Sequence, residues 1–240
     1  MTGGSRGLGR AMAETFAANR ADVVLASRKE AACVRAAEEI SAATGSRALG
    51  VGYHAGVWED AGRLVETVYS AFGRCDVLVN NAGMSPLYPS LVEVSEGLFD
   101  KVVAVNFKGP FRLSALMGAR MAGSGGGSII NISSIAAVRP TPHETVYAGA
   151  KAALNAVTVA LAQAYAPDVR ANAIMPGPFM TDISQAWDPD EFERRARDRI
   201  PLGRGGRPEE IVGAALYLAS AASSYTTGSV ITVDGGAATA

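Results

Sequence analysis

The 240-residue sequence predicts an α/β fold: a doubly wound parallel sheet with helices on both faces. Three observations lead there. Short β-branched runs alternate with Ala-rich amphipathic stretches. A glycine-rich segment, MTGGSRGLGR, opens the chain and runs into a helical pattern. The composition is 48% hydrophobic and 19% charged, enough for one well-buried core.

Strands are expected at 22–27 (DVVLAS), 48–54 (ALGVGYH), 76–81 (DVLVNN), 127–133 (GSIINIS), 169–176 (VRANAIMP) and 229–235 (SVITVDG). Helices are expected at 7–19, 30–43, 59–72, 96–121, 144–165, 190–199 and 208–221. MAGSGGGS (121–128) is the one low-complexity stretch, and its place between a helix and a strand reads as a loop. Neither a repeat nor a domain boundary interrupts the pattern, so 1–240 reads as one nucleotide-binding domain. The net charge of −1 gives no basis for a nucleic-acid or anionic-membrane surface. No apolar run reaches the roughly 18 residues of a membrane span, and no secretory leader is read. Two cysteines, Cys33 and Cys75, and two histidines point to neither a disulfide framework nor a metal site. A soluble cytoplasmic protein with reduced thiols is expected.

The opening segment has the form Thr2-Gly3-xxx-Gly7-x-Gly9. Such a loop brings bare backbone close to a ligand, and the helix behind it presents free N–H groups and a positive dipole end to phosphate. The confirming context is a strand before, a helix after and a second strand that reads the ribose. The helix and second strand are present; the strand before the loop is not. A plain glycine-rich turn is the competing reading. NAD sites usually end the second strand with an acidic residue, and NADP sites favour Arg. Here Ser27-Arg28-Lys29 stand there, and Arg6 adds a cation from the loop. Arg binds a phosphate in bidentate fashion, so NADP(H) is favoured over NAD(H). Arg28 and Lys29 also fit a solvated helix start.

Tyr147 and Lys151 are i and i+4 on an expected helix and so share a face. A neighbouring ammonium is expected to lower the phenol's pKa and suit Tyr147 to general acid/base work. Ser134 ends the strand before and could hold the same substrate oxygen. A Tyr-x-x-x-Lys pair by itself occurs by chance on many helices.

The motifs together are more specific. TGGSRGLG (2–9), NNAG (80–83), Asn106 in VNFKG, ISS (132–134), YAGAK (147–151), PGPFMT (176–181) and TTGSVITVDGG (226–236) follow in order across essentially the whole chain. In this the sequence resembles the short-chain dehydrogenases/reductases, single-domain form, and within them the 3-oxoacyl-carrier-protein-reductase-like members. The resemblance implies a Rossmann-type fold and carbonyl–alcohol interconversion with a nicotinamide cofactor. It implies Tyr147 as general acid/base, Lys151 as its modulator and a ribose ligand, and Ser134 as the positioner of the substrate oxygen. Asn106 is implied to fix a helix bend and a proton-relaying water. Gly3, Ser5, Arg6, Gly7, Leu8, Gly9, Ser27, Arg28, Val57, Asn81, Ala82, Gly83, Pro176, Gly177, Phe179 and Thr181, with Tyr147 and Lys151, are the implied cofactor contacts.

Three departures stand out. The family's loop follows a central strand in the order 3-2-1-4-5-6-7. Without that strand, unpaired backbone and an open apolar slot are expected, as is a native start upstream of Met1. HAGVWED (54–60) puts Gly56 where an Asp normally reaches adenine, leaving only the Val57 N–H for that contact. Ala136-Ala137 replaces a common Gly without touching a role.

Substrate choice is expected from 84–89 (MSPLYP), 138–145 (VRPTPHET) and 182–206. Residues 182–206 read either as a water-excluding lid or as a solvated surface helix. Met84, Leu87, Tyr88 and Trp187 suggest a partly apolar pocket; His143 is either a substrate contact or a simple surface residue. The helix at 144–165 is apolar on more than one side, so a homodimer or homotetramer through the 96–121 and 144–165 faces is expected. The expected partner is a small carbonyl or alcohol substrate, with no nucleic acid and no membrane. The competing functions are a nucleotide-sensing binding protein without turnover, and an N-terminally truncated inactive fragment.

Overall fold

The computed structural model of the chain describes residues 1–181 and 188–239. Elements run α1 (Gly7–Ala18), β1 (Val23–Ser27), α2 (Glu30–Thr44), β2 (Ala48–Gly52), α3 (Trp58–Phe72) and β3 (Val77–Asn80). They continue α4 (Glu96–Val103), α5 (Gly109–Ala122), β4 (Gly127–Ile132), α6 (Thr145–Ala164), β5 (Val169–Pro176), α7 (Pro189–Arg199), α8 (Val212–Ala219) and β6 (Val230–Val233). All strand pairs are parallel: β1 with β2, then β3-β4-β5-β6 in that order.

Strand residues alternate between two helical layers, as a sheet covered on both faces requires. Leu78 and Ile129 pack with Leu64, Leu113, Met117 and Leu161, so α3, α5 and α6 cover one face. Val79 and Ile130 pack with Met12, Ala215 and Leu218, so α1 and α8 cover the other. α2 joins that second layer through Ala36, Ala37 and Ile40 against Leu25.

The open slot expected between β1 and β3 does not form. Met1 and Thr2 lie there. The Met1 amine donates to the Val24 carbonyl and the Ala26 N–H to the Met1 carbonyl, both at 2.9 Å. Thr2 bridges Ala26 in parallel and donates its N–H to the Val79 carbonyl at 2.9 Å. Met1 packs against both clusters on that face, and Leu25 and Val79 are buried.

Two expected helices are broken. The one expected over 96–121 is interrupted by a π-helical turn, Ala104–Lys108, between α4 and α5. Asn106 Nδ2 donates to the Val102 carbonyl at 2.9 Å, the oxygen its own N–H would take in an α-helix, and this competition widens the turn. The helix expected over 208–221 opens as a 3₁₀ turn, Pro208–Ile211, before α8. By length and composition α6 could cross a membrane, with a mean hydropathy of 1.2. In this fold it packs against the sheet and buries Lys151 and Thr158 with partners inside the protein.

Candidate active site

The glycine loop closes on itself. Gly3 and Gly7 take φ of +63° and +55°, the left-handed region that favours glycine. At Gly9 an added Cβ would collide with the Gly3 carbonyl and lie 2.5 Å from Asn81 Nδ2. Arg6, exposed, precedes α1 without a side-chain cap, so the first-turn N–H groups are available to an anion. Leu8 turns toward the core beside Met12. The loop is braced from β3: Asn81 Nδ2 donates to the Thr2 and Gly3 carbonyls, both at 3.1 Å. The Thr2 hydroxyl accepts the Asn81 and Ala82 N–H groups, both at 3.0 Å. That role for Thr2 was missed in the sequence; its place beside the glycines was the available signal.

At the end of β1, Ser27 Oγ lies 3.4 Å from Ser5 Oγ and 2.9 Å from Cys33 Sγ, tying strand, loop and α2 together. Arg28 is exposed beside it. The Val57 N–H, expected near adenine, donates to the His54 carbonyl at 2.9 Å in a tight turn. The Val57 side chain is exposed.

The catalytic candidates converge. Ser134 follows β4, and Tyr147 and Lys151 lie on α6. Lys151 is buried; its Nζ donates to the Ile132 carbonyl at 2.7 Å and stands 5.7 Å from the Tyr147 ring centroid. Burial pushes its pKa down to about 8. Tyr147 departs from expectation: its pKa is raised, not lowered. Burial is the main cause, Glu144 adds to it, and a hydrogen bond with Ser134 works against it. Lys151 is turned to the Ile132 carbonyl and does not offset that burial. Asn106, fully buried, donates to the Met84 carbonyl at 2.8 Å and accepts the Met84 N–H at 3.2 Å. Gly83 joins these groups: an added Cβ would sit 3.0 Å from Asn106 Oδ1 and 3.7 Å from Lys151 Nζ.

Pro176 ends β5 opposite Val233, and the Gly177 N–H donates to the Val233 carbonyl at 3.0 Å. Phe179 turns its ring into the core with Met12 and Ile211 rather than into the cleft. Thr181 stands beside Gly7, whose added Cβ would lie 3.6 Å from it. Trp187 and residues 182–187 lie outside the described residues. α7 buries Ala196, and Ile200 behind it is buried too, so this stretch is not a fully solvated helix. Tyr88 is a fixed wall, not a loose pocket lining: it is buried and its hydroxyl accepts the Val146 N–H at 3.1 Å. His143 is exposed, with Nδ1 3.1 Å from the Tyr88 carbonyl. Leu87 is 71% exposed.

The residues fit a nicotinamide dinucleotide: an uncapped helix start behind a glycine cradle, and a polar group of Asn106, Ser134, Tyr147 and Lys151 at the far end. Fold and site define an α/β oxidoreductase. A family profile described as enoyl-(acyl carrier protein) reductase matches residues 3–238. L-Rhamnose 1-dehydrogenase (NAD(P)(+)) of Azotobacter vinelandii is 38% identical over 98% of this chain and 94% of its own. The 3-oxoacyl-[acyl-carrier-protein] reductase of Chlamydia muridarum is 36% identical over 99% of this chain and 96% of its own. The structure of L-sorbose reductase from Gluconobacter frateurii, complexed with NADPH and L-sorbose, superposes with a TM-score of 0.94 at 31% identity, covering 100% of this chain and 95% of that one. The chain belongs to the short-chain dehydrogenase/reductase family, whose members use NAD(P)(H) and act on small molecules.

Proposed function

We propose that the chain, as a single nucleotide-binding domain, is an NADP(H)-dependent oxidoreductase. It interconverts a carbonyl and a secondary alcohol, with Tyr147 as general acid/base. The observation that carries this is the buried Lys151 beside the Tyr147 ring, 5.7 Å from Nζ to the centroid. When bound, the nicotinamide supplies or takes up the hydride. Ser134 and Tyr147 hold the substrate oxygen, and the phenol moves the proton to or from it. Lys151, freed from Ile132, binds the ribose and favours the phenolate. Asn106 keeps the π-helical turn that sets the cleft floor at Met84.

Arg6 and Arg28 support the NADP(H) preference: both are exposed guanidiniums at the mouth of the loop and the end of β1. The L-sorbose reductase neighbour binds NADPH. A 3-oxoacyl substrate is one option; related proteins named for L-rhamnose and L-sorbose widen the range. A homodimer or homotetramer through the α4–α5 and α6 faces fits the exposed Phe99, Phe111 and Val159. Cytoplasmic residence completes the reading.

Tyr147→Phe tests it. With NADPH and a ketone panel, kcat is expected to fall about 10²–10⁴-fold, while NADPH binding by nicotinamide fluorescence persists. A variant that turns over as the wild type does, or a wild type that binds NADPH and reduces no carbonyl, would refute the proposal. The second outcome would favour a nucleotide-sensing binder.

A further inference from the structure

α6 begins without a side-chain cap of its own. The first N–H groups of a helix find no acceptor inside the helix. The helical ladder of α6 starts only with the Ala148 N–H, which donates to the Glu144 carbonyl at 2.9 Å. Tyr147 stands before that point, in the first turn, where helices open most readily. Ser134 follows β4 and is held by the sheet. Opening of the first turn of α6 therefore moves the phenol relative to Ser134.

A residue from a separate loop supplies an acceptor. The hydroxyl of the buried Tyr88 takes the Val146 N–H at 3.1 Å, across 58 positions of sequence. Two more bonds hold Tyr88 in place. Its N–H donates to the His143 carbonyl at 3.3 Å, and His143 Nδ1 lies 3.1 Å from the Tyr88 carbonyl. The other end of its loop is also fixed, because Asn106 bonds both the N–H and the carbonyl of Met84. Residues 84–88 thus tie the π-helical turn to the start of α6. Without the hydroxyl, the partly buried Val146 N–H loses its acceptor, and the turn must open to reach water.

We propose that Tyr88 is a positioning residue: from a separate loop, its hydroxyl caps the first turn of α6 and so sets where the Tyr147 phenol stands against the substrate oxygen. This rests on the oxidoreductase reading above and adds a residue that acts through α6 rather than on the substrate.

Tyr88→Phe keeps the buried ring and removes only the acceptor. Steady-state kcat and KM are measured with NADPH and three unlike ketones: cyclohexanone, acetophenone and ethyl acetoacetate. Each kcat is taken per NADPH site, counted by fluorescence titration. Tyr88→Phe is expected to lower kcat about 10–100-fold by misplacing the phenol. The factor is expected to be similar for each ketone that the wild type reduces, with KM and the NADPH Kd within about 2-fold of the wild type. An unchanged kcat overturns the proposal. A loss that lies in KM, or that differs between ketones by about 10-fold or more, marks a substrate contact and overturns it too. So does a loss that vanishes once kcat is counted per NADPH site, since that marks a purely structural role.

Backbone amide exchange supplies a second measurement that needs no turnover. In the wild type the Val146 amide is expected to exchange about 10-fold or more slowly than an unbonded amide. In Tyr88→Phe that protection is expected to disappear. A Val146 amide that exchanges freely in the wild type overturns the proposal, and this holds even where Tyr88→Phe does not fold. If no ketone turns over, the oxidoreductase reading fails and exchange alone decides whether Tyr88 holds the turn that carries Tyr147. Protection lost in the variant supports it; protection absent in the wild type or unchanged in the variant overturns it.

Discussion

The cleft has two walls built from different materials. The proposed cofactor wall is backbone: Gly3, Gly7 and Gly9 fold the loop, and the Thr2 and Asn81 side chains brace it by bonding to main-chain atoms. The proposed substrate wall is side chains: Ser85, Tyr88, Thr141, His143 and Glu144 cross-linked between two loops, with Leu87 standing 71% exposed. Backbone geometry tolerates little substitution. An exposed side-chain wall tolerates much, which is how one fold serves many substrates.

The largest effect expected on this contrast is at Gly9. Gly9→Ala drives a Cβ into the Gly3 carbonyl. About 1–3 kcal/mol of stability is expected to be lost, and NADPH binding with it. Thermal unfolding and fluorescence titration check both. A variant that binds as the wild type does would show the loop to be pliable.

Lys151 provides a pH test. Its folded pKa of about 8 lies below its model-compound value of 10.5. The unfolded chain therefore binds the extra proton between these values, and stability from this group rises as pH rises from about 8 to 10.5. Relative to Lys151→Met, the wild type is expected to gain up to about 3 kcal/mol over that window. The variant carries the same Tyr147, whose raised pKa works oppositely above its ordinary value, so the difference isolates the lysine. Denaturant titrations at several pH values measure it; a flat difference would mean Lys151 is not held charged against burial.

Arg28→Ala is expected to lower the NADPH-over-NADH preference about tenfold or more, since a charge-assisted bond is lost. An unchanged ratio of the two Kd values would move the preference elsewhere. Leu87→Ser is expected to shift stability by less than about 0.5 kcal/mol, because the side chain is exposed. A larger loss would show that the substrate wall is packed more firmly than its exposure implies.

The contrast also explains what was legible. The strands at 169–176 and the helix at 30–43 were readable to within a residue or so, because both follow hydrophobic periodicity. The glycine cradle was readable because backbone constraints demand specific residue types. The break at 104–108 was not, because it arises when one side chain, Asn106, competes with its own helix for Val102. The bond that joins Glu144 to Ser85 was not legible either, because the two residues lie far apart along the chain.

By itself, then, the sequence determined the alternating parallel architecture and the shared helix face of Tyr147 and Lys151, since these depend on periodicity and short spacing; the glycine loop and Ser134 gained their reading from the ordered motifs of the family resemblance. Only the tertiary structure decided the direction of the Tyr147 shift, the engagement of the Val57 N–H, the bridging of β1 and β3 by Met1 and Thr2, and the joining of Glu144 to Ser85. Each of these depends on burial or on contacts between distant segments, and local pattern carries neither.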